Sequence, residues 1–172
     1  MLLHQGIGLD AFNRMAPHRA LHALYECCGS VILAGDLASG RPYANREELF
    51  RRADALLFAL SDDSVDNILQ TYPHIGRRPG SSTRAEQCSV WDPRPEVMAE
   101  LDAATQRYAE RFKFSFMMFV GSTDAEGVLA AIADRLQHDT ETERKVVCNE
   151  LAKLNRTRLE RMLGPADGFD NW

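Results

Sequence analysis

The sequence predicts an all-α protein, a single-domain helical bundle, and three observations carry that expectation. Apolar residues recur at three- and four-residue steps almost throughout the chain. No sustained period-two alternation meets hairpin punctuation. Most apolar stripes are preceded by Ser, Thr, Asp or Asn, the residues that satisfy the free N–H groups of a helix start.

Asp10 or Asn13 opens a first helix. Pro17 suits the first turn of a second, in which Leu21, Leu24, Tyr25 and Cys28 share a face before Gly29 and Ser30 interrupt it. A short helix around 34–37 leads to the break Gly40-Arg41-Pro42-Tyr43. Asn45 caps a helix over 46–60 with Leu49, Ala53, Leu56, Leu57 and Leu60 as its buried stripe. Ser61 or Asp62 opens the next, through Val65, Ile68 and Leu69, ending near Tyr72 because Pro73 disfavours helical backbone at the residue before it.

Glycines and Pro79 make residues 74–82 a loop, and Thr83 with Glu86 reads as a reciprocal capping box. Pro93 and Pro95 punctuate before a helix over 96–111. The aromatic run at 112–121 has the composition of a strand but no partner for its backbone, so a buried extended segment or a short helix-edge element is expected, with its Met and Phe side chains as core. Thr123 or Asp124 caps a helix carrying Val128, Leu129, Ile132 and Leu136. Asp139 or Thr140 opens the last, through Val146, Val147, Leu151, Leu154, Leu159 and Leu163, and Gly164-Pro165 stops it. One domain is expected over 1–165, followed by a frayed tail at 166–172 whose Phe169 and Trp172 offer docking groups.

A chain of 172 residues with 45% hydrophobic and 26% charged residues fits one soluble domain. A net charge of -5 gives no general attraction to nucleic acid or anionic lipid, and basic clusters such as Arg51-Arg52 and Arg77-Arg78 are too short to form a polyanion groove. No apolar run reaches the length of a membrane span and the start lacks a signal-peptide pattern, so a cytoplasmic protein is expected. Cys27, Cys28, Cys88 and Cys148 form no C-x-x-C pair and read as reduced, packed thiols.

Phosphate-loop, dinucleotide, nucleophile-elbow and His-Glu-x-x-His patterns are absent. His18 and His22 stand four apart on a helix near Cys27 and Cys28, but no carboxylate completes a ligand set, so no metal site is expected. The most informative stretch is Tyr72-Pro73-His74-Ile75-Gly76 followed by Thr83-x-x-Glu86-Gln87. Four further pieces run with it in order along the chain: Leu24-Tyr25-Glu26-Cys27-Cys28-Gly29-Ser30, then Gly40-Arg41-Pro42-Tyr43, then 108–116, then 150–159.

Together these residues resemble the 2-oxo-4-hydroxy-4-carboxy-5-ureidoimidazoline (OHCU) decarboxylases, over about 13–163. The resemblance implies an all-helical fold, often a homodimer, that decarboxylates a heterocyclic carboxylic acid on the urate-to-allantoin route without metal or organic cofactor. It also implies roles. The family's catalytic histidine precedes the proline that is Pro73 here, and this chain has Tyr72 in its place. Thr83 falls on a small hydroxyl position, Glu86 and Gln87 on a pair that contacts substrate, Arg158 on an arginine near it, and Phe116, Met117 and Met118 where backbone groups line the pocket.

Chemistry explains the types. Loss of carbon dioxide leaves electron density that must be stabilised by donors and then protonated on one face. A carboxyl such as Glu86 suits the proton work, and a planar guanidinium suits a carboxylate or ureido oxygen. A phenol titrates near pH 10 against about 6.5 for imidazole, so Tyr72 is a donor rather than a base. His74 is the alternative proton carrier, although two residues of extended chain displace it by roughly 6–7 Å. From the residues alone Arg158 also reads as a solvated side chain near a helix end. Two functions follow: a decarboxylase of the ureidoimidazoline or of a related heterocyclic acid, with an altered first residue, or a repurposed relative that binds a small heterocycle or a protein without turnover.

Overall fold

The computed structural model describes residues 5–72 and 90–165. Among them are eight helices and no strand: α1 (Leu9–Arg14), α2 (Pro17–Cys28), α3 (Val31–Ser39), α4 (Arg46–Phe58), α5 (Asp62–Gln70), α6 (Pro95–Phe112), α7 (Ala125–Arg135) and α8 (Thr140–Leu163). The described residues fall into two compact units. One takes 62–72 and 90–151; the other takes 5–61 and 152–165. The expected loop at 74–82, the Thr83/Glu86 box, Cys88 and the tail at 166–172 lie outside the described residues.

In the unit formed by 5–61 and 152–165, α3 packs on α2 and on α4. Its core includes Phe12, Leu24, Cys27, Leu33, Leu37, Leu49, Leu57 and Met162, all essentially out of solvent. The first helix corrects the expectation that Asp10 or Asn13 caps it: Gly8 stands at the cap, with φ 72°, where a side chain would be strained. Asp10 sits in the first turn and Asn13 is inside the helix. The Asn13 side chain has a longer reach, donating to the Tyr43 carbonyl at 2.9 Å and accepting from the Tyr43 N–H at 3.0 Å. This reciprocal pair satisfies both backbone groups of a residue in the break between α3 and α4.

The segment before α1 has a second task. N–H groups of Gly6, Ile7 and Gly8 donate to the carbonyls of Arg161, Met162 and Leu163 at 3.1, 3.0 and 2.9 Å, serving the end of α8 where no intrahelical donor remains. Arg41 does the same for two other helix ends, reaching the carbonyls of Phe12 and Met15 at 2.7 Å each and of Ala38 at 3.0 Å.

Local signals place the other helices in this unit. Pro17 begins α2, and Gly29, at φ 69°, closes it in the left-handed conformation. Ser30 then caps α3 by accepting from Leu33 N–H at 3.2 Å. Asn45 accepts from Glu48 N–H at 2.9 Å while the Glu48 carboxylate accepts from Ala44 N–H at 2.7 Å. Of the stripe expected on α4, Leu49, Ala53 and Leu57 are buried together with Phe50, whereas Leu56 and Leu60 are half-buried. Leu60 lies beyond the helix end, so its side chain leaves the stripe.

In the unit formed by 62–72 and 90–151, α7 packs on α6. Val65, Ile68 and Leu69 are the buried face of α5. Pro95 begins α6, Asp124 caps α7 through Gly127 N–H at 2.8 Å, and Asp139 accepts from Thr142 N–H at 2.7 Å at the start of α8. Leu129, Leu136 and Val146 are half-buried rather than core, Leu136 because it falls in the turn after α7. Arg144 of α8 holds the start of α5, bonding Asp66 at 2.8 Å and Asp62 at 3.0 Å with its guanidinium 4.4 Å from the Phe114 ring centroid. No described helix is long and apolar enough to cross a membrane. Cys27, Cys28 and Cys148 are unbridged.

Removing the Asn13 side chain strands two backbone groups at once, whereas removing Asn45 loses one cap. Asn13→Ala is therefore expected to lower stability by about 2 kcal/mol and Asn45→Ala by about 1 kcal/mol, read as shifts in urea midpoint; equal effects would contradict this ranking.

Candidate active site

The aromatic run expected to line a pocket leaves helical geometry at a defined point. Lys113 adopts φ 67°, and its N–H closes α6 on the Ala109 carbonyl at 2.9 Å. From there to Val120 the chain is neither helix nor strand, as its composition without a partner implied. Phe112, Phe114 and Phe116 surround the Tyr108 ring at centroid distances of 4.7, 5.9 and 5.0 Å. The ring cluster fixes one side of the run in the core, with edge-on contacts that aromatic quadrupoles favour.

A buried polar network fixes its backbone. Glu143, at 0% exposure, accepts from Arg135 Nε at 2.7 Å and Nη2 at 2.5 Å, and from the Tyr108 hydroxyl. Its second oxygen lies 2.8 Å from His138 Nδ1. Arg135 Nη1 donates to the Met117 carbonyl at 2.8 Å, and the guanidinium lies 4.4 Å from the Phe116 ring centroid. Burial, then the hydrogen bond to Glu143, pushes the Tyr108 phenol well above its ordinary value, so it stays a donor. About two turns along α8 from Glu143, Glu150 accepts from the Phe119 N–H at 2.8 Å.

Tyr72 follows α5, 7% exposed, with its N–H on the Leu69 carbonyl at 3.1 Å. Phe116 and Met117 are buried and Met118 is half-buried, all on the pinned segment of the same unit. Arg158 belongs to the other unit, on α8; it is 2% exposed and donates to the Cys27 carbonyl at 3.3 Å, which overturns the solvated reading. Its place among Leu154, Leu159 and Met162 puts it on the helix's apolar face. Pro73, His74, Thr83, Glu86 and Gln87 lie outside the described residues.

Arg135, Glu143, Tyr108 and Glu150 were not singled out as functional from sequence. A signal existed for two of them: Arg135 stands three residues after Ile132 and seven after Val128, and Glu143 four before Val147, so each charge interrupts an apolar stripe. A charge at such a position is buried and must find a partner. An open groove of about 1160 Å³ in the other unit contains none of the expected site residues. Four of its charges are spent on structure: Arg46 bonds the Gly164 and Pro165 carbonyls at 2.6 Å each, and Arg156 bonds Glu47 at 2.6 Å and Glu160 at 3.1 Å.

The helical fold and this arrangement of charged and aromatic residues accompany a family match. The OHCU decarboxylase family model matches residues 13–160, and the chain belongs to that family. It is 26% identical over 141 residues to the 2-oxo-4-hydroxy-4-carboxy-5-ureidoimidazoline decarboxylase of Mus musculus, covering 77% of this chain and 79% of the mouse protein. It is 24% identical over 161 residues to the uric acid degradation bifunctional protein of Bacillus sp., covering 90% of this chain and 32% of that protein, so it spans about a third of that relative. A solved OHCU decarboxylase structure, determined in the presence of (S)-allantoin, superposes with TM-score 0.68 at 19% identity over 81% of this chain and 95% of that one, a likeness of fold.

Glu143→Leu leaves the Arg135 charge buried without its partner and is expected to lower stability by about 3–5 kcal/mol. The triple change Tyr108→Phe, Arg135→Met and Glu143→Leu replaces the network with apolar groups and should recover at least half of that loss in urea unfolding. A triple variant less stable than Glu143→Leu would contradict the network's assignment as a buried ion pair.

Proposed function

We propose that this protein is a cofactor-independent carboxy-lyase that decarboxylates OHCU to allantoin. The observation that carries the reading is the family match across 13–160, supported by a mouse relative of that name covered over 79% of its own length. The proposed work of the chain follows the chemistry of the substrate. The C–CO2 bond breaks, and its electron pair forms a double bond to the adjacent ureido-bearing carbon as that carbon's C=N electrons move to nitrogen. A proton is then delivered to one face of the ureido-bearing carbon as the hydroxyl loses its proton and becomes the ring carbonyl. Donors aimed at the developing charge lower the barrier because they need no reorientation as the charge forms.

In this reading Arg158 binds a carboxylate or ureido oxygen, Glu86 carries the proton, Thr83 and Gln87 hold polar edges of the ring, and Pro73 shapes the wall. Tyr72 donates a hydrogen bond where relatives of the family have imidazole, and His74 is the second candidate for proton transfer. The heterocyclic acid is the partner proposed; a homodimer, implied by the resemblance, and a cytoplasmic location are proposed with it. The retention of the flanking motif beside a replaced first residue also supports the second reading, a relative that binds a heterocycle without turning it over.

Restoring imidazole separates the two. Tyr72→His should raise kcat for OHCU by about 10²-fold, the contribution of a placed general acid or base. If Tyr72→His protein remains folded but releases no carbon dioxide above background, the decarboxylase reading fails and the binding reading stands.

A further inference from the structure

The face of α8 that carries Arg158 carries a second polar residue. Leu151, Leu154, Leu159 and Met162 make that face apolar, and all are essentially out of solvent. Asn155 interrupts it four residues after Leu151 and four before Leu159, and is itself 4% exposed. Its Oδ1 is buried and, among the described residues, makes no hydrogen bond. Ser30 and Arg158, buried polar side chains of the same unit, both have partners, in the Leu33 N–H and the Cys27 carbonyl. Asparagine is also a poor helix former, because its amide competes for backbone groups, so neither the helix nor its packing accounts for the residue. A buried acceptor without a donor is destabilising, whereas an apolar side chain of the same shape carries no such penalty.

Arg158 stands three residues further on. Positions i and i+3 of a helix are neighbours on one face, with Cβ atoms about 5–6 Å apart. A long helical side chain also leans toward the N-terminus, here over the turn that holds Asn155. The guanidinium nonetheless leaves the Asn155 oxygen without a donor and reaches the Cys27 carbonyl instead, at 3.3 Å. We propose that Asn155 is a substrate-binding residue whose Oδ1 accepts an N–H of the ureido group, beside the oxygen that Arg158 takes. A ureido group carries its C=O between N–H groups, so one ligand meets a donor and an acceptor a single helical turn apart. The proposal deepens the decarboxylase reading and rests on it for the identity of the ligand.

A neutral acceptor suits this position. An aspartate there would pair with Arg158 and occupy the donors that the substrate needs. A leucine would leave the ureido N–H unpaired on burial. The acceptor destabilises the empty protein and is satisfied only when ligand arrives, so stability and affinity pull in opposite directions at this residue. An asparagine kept for structure would not show that opposition, because its removal would weaken the empty protein as well.

Calorimetric titration with (S)-allantoin, and thermal unfolding without it, test the assignment on the whole chain. Asn155→Leu keeps the shape of the side chain, and Asn155→Ala removes the acceptor without adding bulk. Both should raise Kd by about 5–10-fold, the contribution of one neutral hydrogen bond. Ligand-free Asn155→Leu should melt at or above the parent, by up to about 4 °C. Where OHCU is turned over, KM should rise by the same factor with kcat within about twofold, because the N–H is held alike before and during bond breaking. A Kd within about twofold of the parent in either variant, or a parent that does not bind (S)-allantoin, overturns the proposal. So does a ligand-free Asn155→Leu that melts below the parent, which would give the asparagine a structural role. A parent that binds (S)-allantoin through Asn155 yet releases no carbon dioxide from OHCU refutes the decarboxylase reading and leaves the binding residue in place.

Discussion

A carboxylate with no solvent contact has to be neutralised where it sits, and Glu143 imposes that condition on the unit formed by 62–72 and 90–151. Its charge is met by Arg135, and its remaining lone pairs by Tyr108 and His138. Because Arg135 has a second edge, the same guanidinium reaches the Met117 carbonyl and orders a segment that neither helix nor sheet supports. The aromatic residues then have a fixed backbone to pack from. A buried pair of this kind is weak evidence for stability, since apolar residues of similar volume can do as well. Its value here is directional: it selects one placement for a run that composition alone would leave free.

The other unit reaches order by a different means. Its polar side chains mostly serve backbone groups at helix ends: Arg41 binds three carbonyls, Asn13 binds both groups of Tyr43, and the N–H groups of residues 6–8 meet the end of α8. Each contact gives a partner to a group in a part-buried environment. Arg158 stands apart from these, buried among apolar side chains with the Cys27 carbonyl as one partner. A guanidinium in that position presents a planar donor set.

Helices marked by short-range chemistry were legible in the sequence. Pro17 acts through its fixed φ, and Gly29-Ser30, Asn45, Asp124 and Asp139 act through bonds spanning three or four residues, so local sequence alone reveals them. The first helix was misread because Gly8 contributes only its backbone freedom, while Asn13, a better capping side chain, has a partner thirty residues away. The Glu143 network joins residues 8 and 35 positions apart, and no local pattern states that pairing. What the sequence does carry is the interruption of apolar stripes at Arg135 and Glu143. Of the site, the run at 116–118 was legible as a buried non-helical segment, whereas the carbonyl and N–H that its neighbours hold became visible only in three dimensions.

Membership in the OHCU decarboxylase family gives this geometry its chemical setting. On the proposed reading, the unstable carboxylated ring needs little activation, and the protein's contribution is the face on which the proton arrives. That contribution requires groups that orient the ring and a donor on one side, whether phenol or imidazole. The optical activity of the allantoin formed by the unmodified chain, followed by circular dichroism as OHCU is generated in place, measures it most directly. A signal of one sign, growing faster than the spontaneous decay of OHCU, is the expected result. Racemic allantoin formed at the spontaneous rate would contradict the account.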